Sequence, residues 1–554
     1  LHRLLLLILS IPLASQELVD VLWGNERLTN TYSYQEINQL TIEGLEDSKP
    51  ISGILSLEKD AIGKGYTVLV DDRKIYKNIH EDIPTFSLGF ISNSGKAYPS
   101  ITKIIETNHP FWNIQFGIGT SKKDKQSSNT LVVLPFSLVH KNANCVHSGL
   151  AIFAISTANI ISNILFEIAT ETCAYYKFDF VGLYPVSFSE ANITKIEPID
   201  IKKLEGNPSP VKPIEDLYSK FSLNNDSFLN STYINPYNVS LFGVIDENNH
   251  YVSSCNTRLG EYPFCDQLLL PSYSLAKSIA GSLSLSLIEN EFGSISNLMV
   301  NDLVKECDQR KWKGVSLGNL SDMATGQYIN ATHDRDESGA SSIQLIFNLL
   351  THKEKLNKAC KAFPKKTKPG RKFVYHTSDT YILGSAMNNF LKLNTRYEDY
   401  FNDFLIPFFK KNNFSQVSES VLRTDDNVNQ PYTGWGMFFI REDLEHISSI
   451  MHKVMNNNSE NFKFLHEALN PKTDNSLSAI PGVNIYYNNG FWSRKFDKSI
   501  FNCKEDVWVP FMSGFGGITF AFFPNGMTYY YFSDGYEYAW ESAVFSSNSI
   551  KPFC

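Results

Sequence analysis

Between Tyr273 and Gly293 the chain carries an apolar helical pattern with a serine and a lysine at its head. It opens Tyr273-Ser274-Leu275-Ala276-Lys277-Ser278-Ile279-Ala280-Gly281 and runs to about Glu291, with Gly293 as a stop signal. Positions i and i+3 share a helix face, so the Lys277 amine can lie against the Ser274 hydroxyl. Serine is a weak nucleophile at neutral pH. A buried lysine loses its charge more easily and can take the serine proton. Alone, serine-x-x-lysine is a short motif that chance supplies often, and its plain reading is a surface serine beside a solvated lysine.

The chain has 554 residues, too many for one ordinary core, which predicts two or three domains. Apolar residues make up 42% and charged residues 19%, a globular balance. A net charge of −8 without a long basic run argues against a nucleic-acid partner. His2 and Arg3 precede an apolar run, Leu4 to Leu13, that ends in Ala14-Ser15. That order reads as a secretory signal over residues 1–15, too short to stay as a membrane span; the other reading is a genuine N-terminal helix.

Eight cysteines stand at 145, 173, 255, 265, 307, 360, 503 and 554. An even count behind a leader points to disulfides and to a secreted or periplasmic setting. Sequential pairing is the simplest connectivity. No cysteine–histidine spacing suits zinc, so no metal site is expected. Nothing in the sequence sets an oligomeric state.

Residues 16–205 read as β-rich. From Tyr175 to Phe188 the aromatics alternate, which predicts a strand pair broken at Gly182. Ala151 to Ala169 is apolar, but Asn159, Asn163 and Glu167 make a membrane span expensive, so buried strands or a core helix are expected. The aromatic content of 13% suits β architecture. Residues 206–230, with Pro208, Pro210 and Pro213, read as a linker. The remainder, 231–554, begins with a hairpin around Asp246-Glu247-Asn248-Asn249 and ends with one around Pro524-Asn525-Gly526. Helices lie between, which makes this an α+β domain.

A second motif runs from Lys368 to Gly384 and includes Pro369-Gly370, Phe373, Tyr375, Thr377 and Asp379-Thr380. Pro-Gly sets a turn, and an extended stretch delivers Tyr375 and Thr377 to a helix capped near Ser378 or Asp379. A tyrosine beside a lysine can deprotonate more easily and relay a proton. His333, Asp334, Asp336 and Glu337 have metal-ligand residue types but no helical spacing, and read as a solvated loop or a cleft rim. His376 reads as structural.

Together these motifs resemble the serine β-lactamase-related family, in particular class C-like esterases and 6-aminohexanoate-oligomer hydrolases. Val315–Gly326, Gly434–Leu444, Asn488–Trp492 and Ser513–Pro524 resemble further family segments in the right order. The likeness covers about 230–545 and none of the β-rich part. It implies a β-lactamase/penicillin-binding-protein-like antiparallel sheet with helices and a serine hydrolase acting on a small ester or amide without a cofactor. Ser274 would be the nucleophile, Lys277 its base and Tyr375 the second proton-transfer group. Thr377, Ser513, Gly514, Phe515 and Trp492 would line the substrate or oxyanion side. The sequence departs from the family three times. Met323 replaces a histidine in the Val315–Gly326 segment, Thr377 stands where many members have asparagine, and Phe511-Met512-Ser513-Gly514 replaces Lys-Thr-Gly, so no cation is offered to a substrate carboxylate. The alternative is a penicillin-binding-type or non-catalytic protein that keeps the fold.

Overall fold

The computed structural model describes residues 11–43, 50–124, 128–191, 193, 210–247, 249–307, 310–457 and 461–554. Most of the expected leader lies outside them; a helix spans Ile11–Trp23. Two compact units divide the chain. The first holds Leu1–Lys141, Cys145–Asn207 and Ser254–Leu270, and the second Asn142–Asn144, Pro208–Ser253 and Pro271–Cys554. This differs from the sequence-based division in three places. Residues 254–270 group with the first unit, and Asn142–Asn144 group with the second. Within the expected linker, Ile214–Phe221 is a helix whose Ile214, Leu217 and Tyr218 are buried in the second unit's core.

The first unit is built on an antiparallel sheet of eleven strands. Its strands Thr130–His140, Val146–Ile155 and Ile164–Thr172 are buried at every residue, which explains why the apolar stretch near Ala151 is continuous rather than alternating. Gly182 does not break the next strand, Tyr176–Tyr184, and pairs with both Lys64 and Phe166. A Cβ there would fall 2.6 Å from the Phe180 ring and 2.8 Å from the Tyr184 ring, so the glycine makes room for neighbouring aromatics.

The second unit carries a nine-stranded sheet. Its order is Val211–Pro213, Asn249–Val252, Val239–Asp246, Met527–Ser533, Ile518–Phe522, Val507–Gly514, Phe491–Phe496, Ile485–Asn488 and Leu477–Ile480. Only the first pairing is parallel. Both expected hairpins are present, and they bring the two ends of this unit's sequence together: Val239–Asp246 pairs with Met527–Ser533. One face packs Val244, Val509, Phe511 and Tyr529 against Ile214–Phe221 and Glu541–Ile550. Helices between the hairpins, including Arg441–Asn456, complete an α+β fold. Disulfides Cys145–Cys173, Cys255–Cys265, Cys307–Cys360 and Cys503–Cys554 follow the sequential pairing. Among the described residues no helix is long and apolar enough to cross a membrane.

Candidate active site

Every residue from Leu268 to Ser286 is buried except Ser274, which is partly exposed. The serine sits on a tight turn in which Lys277 N donates to Ser274 O (3.1 Å), before the helical segment Lys277–Leu283. The preceding Tyr273 has φ +41°, an unusual conformation for a bulky residue. Asn144 over-determines it: its Oδ1 accepts from Tyr273 N (2.6 Å), Ser272 Oγ (3.0 Å) and Gly436 N (3.0 Å). Asn144 is remote in sequence, and no motif signals it.

Lys277 is 2% exposed. Its Nζ donates to Ser274 Oγ (2.8 Å), Thr377 Oγ1 (2.9 Å) and Gly434 O (3.0 Å). Burial lowers its pKa from 10.5 to about 8, against the opposing pull of Glu337. The Tyr375 ring centroid lies 5.1 Å from the amine, and a hydrogen bond links the phenol to Ser274. Burial, followed by Glu337, pushes the Tyr375 phenol well above its ordinary value. This corrects the expectation of a readily ionised tyrosine: at neutral pH the Tyr375 phenol keeps its proton.

The helix after Tyr375 starts at Thr377 with the extended His376 as its N-cap, earlier than the expected Ser378 or Asp379. Helix entry here is fixed by a neighbouring loop. Asp336 is buried, and accepts from Ile329 N (2.8 Å), Asn330 N (2.9 Å) and His376 Nε2 (3.1 Å). Burial alone would lower the His376 pKa, but Asp336 and Asp379 outweigh it and hold it at about 9. Thr377 N donates to Glu337 Oε2 (2.9 Å), and Thr377 Oγ1 donates to Glu337 Oε1. The solvated-loop reading therefore fails for two of its four residues, because N–H and O–H donors satisfy these carboxylates and let them approach the core. The Thr377 hydroxyl is committed to Lys277 and Glu337.

The other side of the site comes from the sheet. Asn489 (φ +47°) and Gly490 (φ +84°) form the two-residue turn between Ile485–Asn488 and Phe491–Phe496. Ser278 Oγ donates to Gly490 O (2.7 Å) and Ser282 Oγ to Asn489 O (2.6 Å), which ties this hairpin to the Lys277 helix. Trp492 then stacks on Tyr375, with ring centroids 5.7 Å apart. The pairing of Phe491–Phe496 with Val507–Gly514 reaches only Trp492 opposite Phe511, so Ser513 and Gly514 extend past it. A Cβ on Gly514 would lie 3.1 Å from both Ser272 O and Leu275 Cδ1, which places this strand end against the Ser274 turn. Phe515 packs on Tyr273 at 5.7 Å. No cation comes from the neighbouring strand: Arg494 donates to Val483 O and lies 3.8 Å from Glu541, and Lys495 pairs with Asp506 at 2.8 Å.

No family model and no curated protein matches this chain. Solved structures similar to it include a Bacillus anthracis protein designated a 6-aminohexanoate-dimer hydrolase. It shares 15% identity over 62% of this chain and 86% of its own, with a TM-score of 0.42. A class C β-lactamase in complex with cefoxitin shares 14% identity over 61% of this chain and 98% of its own, with a TM-score of 0.40. A protein of Bacteroides dorei designated a β-lactamase shares 13% identity over 58% and 96%, with a TM-score of 0.41.

Proposed function

We propose that the chain is a β-lactamase-related serine hydrolase that cleaves an ester or amide through an acyl-enzyme on Ser274. One observation carries this reading. The single accessible residue in a buried run is a serine whose Oγ lies 2.8 Å from the amine of a buried lysine. With its pKa lowered to about 8, Lys277 is neutral in roughly one molecule in ten at pH 7, and it gains proton affinity as the serine gives up its proton.

Neutral Lys277 takes the hydroxyl proton as Ser274 Oγ bonds to the substrate carbonyl carbon. The carbonyl π pair moves to oxygen. Backbone N–H groups of Ser274 and of the Ser513 region are the proposed donors to that oxyanion, each worth roughly 3–4 kcal/mol. Collapse expels the alkoxide or amine. Its proton comes from Lys277 through the Tyr375 phenol, which gives one proton and receives another. Water then repeats the sequence on the acyl ester, and Ser274 is restored. Trp492, Phe515 and Thr377 shape the substrate side, Thr377 through its hold on Lys277. With Arg494 and Lys495 engaged elsewhere, the site suits an uncharged acyl group.

Hydrolysis of p-nitrophenyl acetate and butyrate tests this reading: Ser274→Ala should fall to the buffer rate, and retained turnover would refute it. The four disulfides support a secreted or periplasmic setting. Native protein should expose no alkylatable thiol, and peptide mapping should join Cys503 to Cys554.

A further inference from the structure

We propose that Glu337 is a positioning residue for acyl transfer at Ser274: by accepting the hydrogen bond of the Thr377 hydroxyl it makes Thr377 an acceptor toward Lys277, so that the lone pair of the neutral amine is left facing Ser274. The inference rests on the acyl-enzyme reading above.

The geometry of the amine carries it. A neutral lysine amine has two hydrogens and one lone pair in three tetrahedral directions. Lys277 Nζ has three oxygen neighbours: Gly434 O at 3.0 Å, Thr377 Oγ1 at 2.9 Å and Ser274 Oγ at 2.8 Å. A carbonyl accepts only, so Gly434 claims one hydrogen. A threonine hydroxyl can donate or accept. If Thr377 donated to Lys277 it would occupy the lone pair and disable the base. Here it cannot, because its proton goes to Glu337 Oε1, while Glu337 Oε2 accepts from Thr377 N at 2.9 Å. Thr377 therefore claims the second hydrogen, and Ser274 is the partner left for the lone pair. The carboxylate is itself held: Ser342 Oγ donates to Oε2 at 3.3 Å, and the adjacent Asp336 anchors the same loop to His376.

Glu337 also acts through its charge. It favours the protonated amine and so sets how far burial can lower the Lys277 pKa. The other titratable groups facing this network are His333, Asp334 and Asp336 on the same loop, Tyr375, His376 and Asp379 beside Thr377, and Tyr487 on the facing strand. All of them remain in the Glu337→Gln variant, so a change in that variant reports the carboxylate.

The test is the pH dependence of Ser274 labelling by an alkyl fluorophosphonate, in the full chain, for wild type, Glu337→Gln, Thr377→Val and Thr377→Ser. Wild type should rise to a plateau with a midpoint near 8. Glu337→Gln should move that midpoint down by about one pH unit and lower the plateau roughly tenfold or more. Thr377→Val should lose a similar plateau rate, and Thr377→Ser should recover it to within about threefold. Glu337→Gln with a midpoint within about 0.3 pH unit and a plateau within about twofold of wild type overturns the proposal. If that variant does not fold, the threonine pair decides: an unchanged plateau in Thr377→Val overturns it equally. Wild type that is not labelled at Ser274 refutes the acyl-enzyme reading itself and takes this inference with it.

Discussion

Two lysines in the second unit are buried in nearly the same way. Lys277 is 2% exposed and Lys355 is not exposed at all. Burial lowers both pKa values, to about 8 for Lys277 and about 7 for Lys355. Each amine lies over an aromatic ring, Tyr375 at 5.1 Å for Lys277 and Tyr432 at 4.7 Å for Lys355. Their hydrogen-bond partners separate them. Lys355 donates to Asn142 Oδ1 and Leu345 O, an amide and a carbonyl that only accept. Lys277 meets a hydroxyl that can lose its proton and that is partly exposed. The more strongly depressed lysine is thus the one with nothing to activate. A lowered pKa records burial; chemistry needs a reachable nucleophile as well.

The widest gap between the two is expected in activity. Lys277→Met should reduce ester hydrolysis by about 10²–10⁴-fold, the usual range for a positioned base, whereas Lys355→Met should leave the rate of folded enzyme within about threefold. Equal losses would erase the distinction. Tyr375→Phe should lose a comparable amount to Lys277→Met. The proposed mechanism puts the two groups on one proton path, so the double variant should lose little more than either alone. Losses that multiply would assign them independent roles.

Substrate charge gives the next effect. Lys-Thr-Gly is replaced by Phe511-Met512-Ser513, and Arg494 and Lys495 are engaged elsewhere, so a substrate carboxylate meets no free cation from these strands. A charge-assisted bond contributes about 1.5–3 kcal/mol, so kcat/KM for nitrocefin should lie roughly ten- to a hundredfold below that for a neutral short-chain ester. Faster nitrocefin turnover would make Arg494 the residue to test.

The smallest effect is on stability. Lys355 has a folded-state pKa of about 7, below its unfolded value of 10.5, so between these the unfolded chain binds more protons. Stability should therefore rise with pH from about 7 toward 9, and the full penalty of burial applies below that window. Lys355→Met should flatten the rise in urea midpoint between about pH 7 and 9. An unchanged slope would place the titration elsewhere.

Much of this site was legible because its parts are local. Ser274 and Lys277 are one helical turn apart, Asn489-Gly490 is a turn signal, and Tyr375 follows Pro-Gly at short range. The residues that sequence reading missed act across long separations. Asn144 reaches the Tyr273 turn from 129 positions away, and Glu337 reaches Thr377 from 40. A loop rich in His, Asp and Glu looks solvated until the donors to its carboxylates are known, and those donors are set by tertiary packing. In the first unit the strands are legible in outline, but a linear pattern marks Gly182 as a break because the glycine's reason, room for Phe180 and Tyr184, is not visible in it.

The most direct test of the central claim is the mass of the full chain after exposure to an alkyl fluorophosphonate near pH 8, with the modified peptide sequenced. One adduct should form, on Ser274, in wild type and in Lys355→Met, and none in Ser274→Ala. An adduct on Ser272 or Ser278, or one that persists in Ser274→Ala, would contradict the account.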